Sequence, residues 1–146
     1  MEQTRKNLKI SSIVVLIFAG ISLLQIVFAL SFGNINAMIP EGASEGIILF
    51  TKILFYSVSF LLLLPNVYIG IKGLRIAKKP NSSKGHIVWG IILLVLTFLS
   101  LISPVAGFIN NGFKYDYILE FLRIAVEVTA FFEYTKYAIA LRKAIA

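Results

Sequence analysis

The chain has 146 residues, 58% of them hydrophobic, with 14 lysines and arginines against seven acids and no cysteine. That length leaves room for one domain, residues 1–146, and the composition is that of a chain whose solvent is lipid. It excludes a separately folding catalytic or nucleic-acid-binding module; the missing cysteine excludes disulfides, thiolate metal sites, iron–sulfur clusters and S-palmitoylation.

Four apolar runs fill most of the chain: residues 10–32, 47–71, 86–109 and 117–140. A bilayer core of ~30 Å needs about 20 helical residues, and each run supplies them. The expected fold is therefore all-α, a polytopic membrane protein with four transmembrane helices paired as two antiparallel hairpins in one bundle. Arg5, Lys6 and Lys9 precede the first run. Its Ala29-Leu30-Ser31 imitates a peptidase site, but the run exceeds the roughly 7–15 apolar residues of a signal peptide and is read as a retained helix. Ser22 and Gln25 within it are expected to hydrogen-bond between helices. The connector 33–46 has loop chemistry, including Pro40, Gly42 and Gly46, and its Ile35, Ala37, Met38 and Ile39 are expected to dip into the outer interface.

The second run carries a stripe at helical spacing: Lys52, Tyr56, Ser59, Leu63, Asn66, Gly70 and Gly73. Pro65 removes the backbone bond to the Leu61 carbonyl and is expected to kink the helix. A basic connector follows, with Lys72, Arg75, Lys78, Lys79 and Lys84, and Pro80 stops the helix before it. His86 is read as solvated at the mouth of the third run. Pro104 is a second expected kink, freeing the Ser100 carbonyl. Asn110-Asn111-Gly112 makes the last turn, and Phe113, Tyr115 and Tyr117 are expected at headgroup level. Glu120, Arg123 and Glu127 in the fourth run fall within about 60° of arc, with Tyr134 on the same stripe. Glu133 and Lys136 read as an interfacial i,i+3 pair.

The stretch Gly70-Ile71-Lys72-Gly73-Leu74-Arg75-Ile76-Ala77-Lys78-Lys79-Pro80, followed by Gly85 and Gly90, resembles uncharacterised small multi-span bacterial membrane families. They too join two apolar helices through a glycine-rich basic connector. The resemblance implies a bacterial inner-membrane protein and carries over no catalytic or binding residue.

Charge placement predicts topology. Lys72 to Lys84, the N-terminal cluster, and Lys136, Arg142 and Lys143 all fall on one side when four spans are threaded in order. Positive charge in short loops marks the cytoplasm, so both termini are expected there. The same charge accounts for attraction to anionic lipid, and no nucleic-acid partner is expected.

Ionisable groups inside a span are the natural place to look for function, since each central Asp, Lys or Arg costs roughly 2.5–3.5 kcal/mol. Depth matching pairs Lys52 with Glu120 or Glu127, so that two acids balance two bases in a cluster of Lys52, Tyr56, Asn66, Glu120, Arg123 and Glu127 between spans two and four. Complete pairing favours glue between helices. The expected function is a non-enzymatic accessory, assembly or immunity-type subunit, working through helix contacts with itself or a larger membrane-protein partner. The alternative is a small oligomeric carrier or channel that uses the cluster. One histidine without cysteine offers no transition-metal site of the usual kind, and no cofactor is expected. Reporter fusions within 80–85 and at the C-terminus should both report cytoplasm, and one beside Gly42 the opposite side. An external C-terminus would instead lay the fourth run flat on the membrane.

Overall fold

A computed structural model describes residues 1–32 and 41–145; the expected dip of Ile35, Ala37, Met38 and Ile39 lies outside them. The described residues form five helices: α1 (Glu2–Phe32), α2 (Glu45–Lys78), α3 (Gly85–Leu99), α4 (Ile102–Asn111) and α5 (Tyr115–Ile145). Helices overrun the apolar runs because lysine, arginine and glutamate propagate a helix well, so it continues until a residue forbids it. Lys79, before Pro80, is extended at φ −127° and ψ 90°, which ends α2. Ser44 begins that helix, its Oγ accepting from the Ile47 N–H at 3.4 Å. Gly112 ends α4 at φ 77°, with its N–H on the Phe108 carbonyl at 3.0 Å, a left-handed stop that suits glycine.

Three stretches are long and apolar enough to cross a membrane: Glu2–Phe28, Glu45–Lys78 and Gly85–Asn111. The expectation was four. α5 has 31 residues, but Glu120, Arg123, Glu127, Glu133 and Lys136 make it too polar to qualify by composition.

The two prolines behave differently. α2 runs unbroken through Pro65. The third apolar run divides into α3 and α4 around Ser100 and Leu101. There the Ser100 N–H reaches the Leu96 and Thr97 carbonyls, and the Leu101 N–H the Phe98 carbonyl, each at 3.1 Å, a 3₁₀-type tightening. Pro104 has no N–H to return to Ser100, which explains where the break falls.

α1 packs along α2 and α5, α3 packs along α5 and α2, and α4 packs on α5. α2 and α5 are therefore diagonal partners, and α4 does not pack along α2. The buried core gathers towards one end, around Leu8, Val15, Ile69, Ile76, Phe131, Tyr134 and Leu141. The basic clusters meet at that end. Arg5 Nε donates to the Ala77 carbonyl at 2.8 Å and Nη2 to the Lys78 carbonyl at 2.7 Å, a cation capping α2.

Two glycines allow this closure. A Cβ on Gly73 would overlap Ser12 Oγ and stand 2.6 Å from the Tyr134 ring; one on Gly90 would stand 2.9 Å from Thr135 Oγ1. Lipid removes the hydrophobic drive between helices, so close approach at small residues holds them instead. Gly73→Ala should therefore destabilise by about 1–3 kcal/mol through overpacking. Gly20→Ala, where a Cβ meets nothing within 4 Å, should be neutral or gain up to about 1 kcal/mol. Thermal unfolding of both in one detergent checks this; equal midpoints would remove the close approach from the account.

Candidate functional site

On α5 the buried residues Ile124, Phe131, Tyr134, Ala138 and Leu141 recur at spacings of three, four and seven. Glu120 lies four before Ile124, and Glu127 three after it, so both continue that inward stripe; Arg123 lies beside them, four before Glu127. On α2, the buried Leu63, Gly70 and Gly73 are continued by Asn66, Ser59, Tyr56 and Lys52. The Tyr134 ring beside Gly73 registers one stripe against the other. The polar groups of α2 and α5 thus look across the diagonal of the bundle, at the end opposite the buried core.

Their charged groups do not pair directly. Among the described residues no ion pair within 4.0 Å joins Lys52, Glu120, Arg123 or Glu127; the pair that forms is Lys136 with Glu133 at 3.9 Å. Lys52 and Arg123 are exposed, and Glu120 and Glu127 are half-buried. The Tyr56 ring lies edge-on to Phe55, with centroids 5.5 Å apart. Depth matching had paired Lys52 with the acids; diagonal placement of the two helices leaves that distance open.

What lies between them is a cleft of about 440 Å³ walled by α1, α2 and α5. It brings together two of the expected residues, Asn66 and Arg123, with Ser22, Gln25 and Ser59, against apolar Ile26, Phe55, Leu62 and Leu63. Arg123 Nη1 donates to Gln25 Oε1 at 3.5 Å, the outer limit of a hydrogen bond. Ser59 Oγ donates to its own helix, at the Phe55 carbonyl, 2.8 Å away. Asn66 Oδ1 is buried with no hydrogen-bond partner among the described residues. Leaving such an acceptor unmet costs about 1–3 kcal/mol. Lys52, Tyr56, Glu120 and Glu127 do not line this cleft. Pro65 adjoins Asn66 in sequence, and Pro104 is buried at the start of α4.

The closed end holds a second polar group that sequence reasoning missed. His86, read as solvated, is 1% exposed, and its Nδ1 shares a hydrogen bond of 2.8 Å with Tyr134 Oη. Ser12 and Thr135 are buried beside them, with Ser12 Oγ donating to the Leu8 carbonyl at 2.7 Å. The one available signal was Tyr134 on the α5 stripe; nothing local in the sequence marks His86 as its partner. Among the described residues, no three His, Cys, Asp or Glu side chains form a group able to hold a metal ion.

Comparison with protein-family models, curated proteins and solved structures found no counterpart.

Tyr134→Phe should cost about 1–3 kcal/mol, because His86 Nδ1 loses its partner inside a buried site. His86→Phe in the same background should recover part of the loss by removing the orphaned nitrogen. Denaturation midpoints of the two variants check the order, and an unchanged Tyr134→Phe would mean that water replaces the hydroxyl.

Proposed function

We propose that the chain is a multi-pass protein of the bacterial inner membrane in which α5 is a fourth span, with both termini in the cytoplasm. We further propose that its polar gap between α2 and α5 binds an ion or small solute, as in a small non-enzymatic carrier or channel that assembles as an oligomer. The observation that carries this reading is the absence of any ion pair among Lys52, Glu120, Arg123 and Glu127, although Glu120 and Glu127 are half-buried on the inward stripe of α5. Helix glue needs closed pairs, since an uncompensated charge in a low-dielectric setting is costly. An open set of charges, by contrast, must be met by water, ions or a ligand.

The exposure pattern of α5 supports its membrane placement. Its outward residues Ile118, Leu122, Val126 and Phe132 are apolar and exposed, while Glu120 and Glu127 are half-buried. A helix lying flat at the interface would direct its charged face to water and its apolar face into lipid. The three basic clusters gathered around Arg5 and the end of α2 support one cytoplasmic side.

The accessory-subunit reading fills the same gap with a helix from a larger partner or a second copy. The cysteine-free chain allows a clean separation of the two. Ser59→Cys and Glu127→Cys should each react with a membrane-impermeant thiol reagent added from the non-cytoplasmic side, both in native membranes and after purification into nanodiscs. Ser12→Cys, at the closed end, should stay unmodified. Labelling in nanodiscs with protection in native membranes would hand the gap to a partner helix. No labelling in either setting would mean that the gap is packed, and would overturn the binding reading.

A further inference from the structure

The cleft within that gap has a chemistry that narrows its occupant. Among the described residues, Arg123 is the one charged side chain on its wall, and it meets no carboxylate within 4.0 Å. Its nearest recorded partner is the neutral Gln25 amide, at 3.5 Å. A guanidinium fork is matched by a planar carboxylate or by a phosphate. Asn66 Oδ1, buried and unpartnered, calls for a hydrogen-bond donor on the occupant. Phe55, Leu62 and Leu63 make the α2 wall apolar, with Ile26 of α1 beside them. The volume of about 440 Å³ falls in the range of roughly 300–1,000 Å³ usual for small-molecule sites.

Access follows from the packing. The break at Ser100 and Leu101 separates α4 from α3, and α4 packs on α5 without packing along α2. Among the described residues, the end of the bundle that holds the polar stripes is therefore open sideways between α2 and α4. A ligand with an apolar tail can enter from the lipid there without crossing the closed end at Tyr134.

We infer that this cleft binds a single-chain anionic amphiphile: a carboxylate or phosphate head on Arg123, a hydroxyl or amide N–H beside the head on Asn66, and an alkyl tail along Phe55 and Leu62. The inference rests on the polar-gap reading and names the class of ligand that the gap takes.

The test uses purified full-length protein in phosphatidylcholine nanodiscs, with N-dodecanoylglycine and dodecanoyl lysophosphatidate as anionic probes carrying donors. Dodecanoate lacks the donor, and dodecyltrimethylammonium reverses the charge. Binding is read by native mass spectrometry and by displacement of a labelled probe. The anionic probes should bind at least tenfold more tightly than the cation. Arg123→Met should abolish that preference, while Asn66→Leu should remove the advantage of N-dodecanoylglycine over dodecanoate and leave dodecanoate binding unchanged. Circular dichroism and unfolding midpoints establish that both variants fold; should Arg123→Met fail to fold, Arg123→Lys replaces it and should weaken the anionic probes at least threefold. Displacement of the probe by diacyl phosphatidate in the disc would identify the membrane as the source of the ligand, and displacement by single-chain compounds alone a free amphiphile; either outcome supports the site. Equal binding of anion and cation, or anion binding unaffected at Arg123, overturns the inference. Failure here with thiol labelling intact at Ser59 and Glu127 would leave a water-filled gap that takes a different solute. Loss of both would remove the gap itself.

Discussion

The close approach of three helices around Tyr134 sets the shape of everything else in the molecule. In lipid, helices gain little by hiding apolar surface from one another, so association depends on tight van der Waals contact and on polar bonds that lipid cannot replace. Gly73 and Gly90 remove the side chains that would hold α2 and α3 away from α5, and the Tyr134 ring occupies the space. The hydrogen bond between Tyr134 and His86 then satisfies two buried polar groups at once, at 2.8 Å. Arg5 secures the same end by capping α2 across the sequence distance between Arg5 and Ala77.

Closure at one end has a consequence at the other. The third apolar run breaks at Ser100 and Leu101, and its outer piece follows α5 instead of returning to α2. α2 is left with α1 as its neighbour over that length. The α2 stripe from Lys52 to Asn66 and the α5 stripe from Glu120 to Glu127 then border a space that no helix among the described residues fills. Had α2 and α5 been adjacent, charges at matching depth would have met as ion pairs worth about nothing against apolar isosteres. Placed diagonally, those charges do not meet, and the cleft between the helices holds an unmet acceptor, Asn66 Oδ1, and the Arg123 guanidinium, which among the described residues meets no carboxylate within 4.0 Å.

This division also explains what could be read from the sequence. Hydropathy located every long helix, because twenty apolar residues in lipid have almost no alternative to helix. Helical phase placed Ser59, Asn66, Gly73, Arg123, Glu127 and Tyr134 on two stripes, because phase is a local property of 100° per residue. The partners of those stripes were not legible. Whether Lys52 meets Glu127 depends on which helices are neighbours around the bundle, and that order is decided by glycine contacts and by a break two residues long. His86 was misread for the same reason: next to a basic connector it looks like a loop residue, and only the arrival of Tyr134 from 48 residues away buries it. Gln25 was recognised as an inter-helix group, but its partner Arg123 could not be named from spacing.

α5 is the element on which composition and structure pull apart. Counted as a string, it carries too many charges to pass as an apolar crossing. Divided by face, Ile118, Leu122, Val126 and Phe132 present an apolar exposed side, while Glu120 and Glu127 are half-buried on the other. Averaging over a window adds two faces that experience different solvents. In a soluble protein a helix with an apolar exterior and a charged interior would be inside out; in a membrane it is the arrangement that hides charge from hydrocarbon. Glu133 and Lys136 complete the argument from the other direction. Lys136 is exposed and Glu133 half-buried, they form the one ion pair among the described residues, and they lie towards the basic end, where headgroups and water can receive them. Part of the polarity of α5, at Glu120 and Glu127, is thus sorted by face, which is what the proposed fourth span requires.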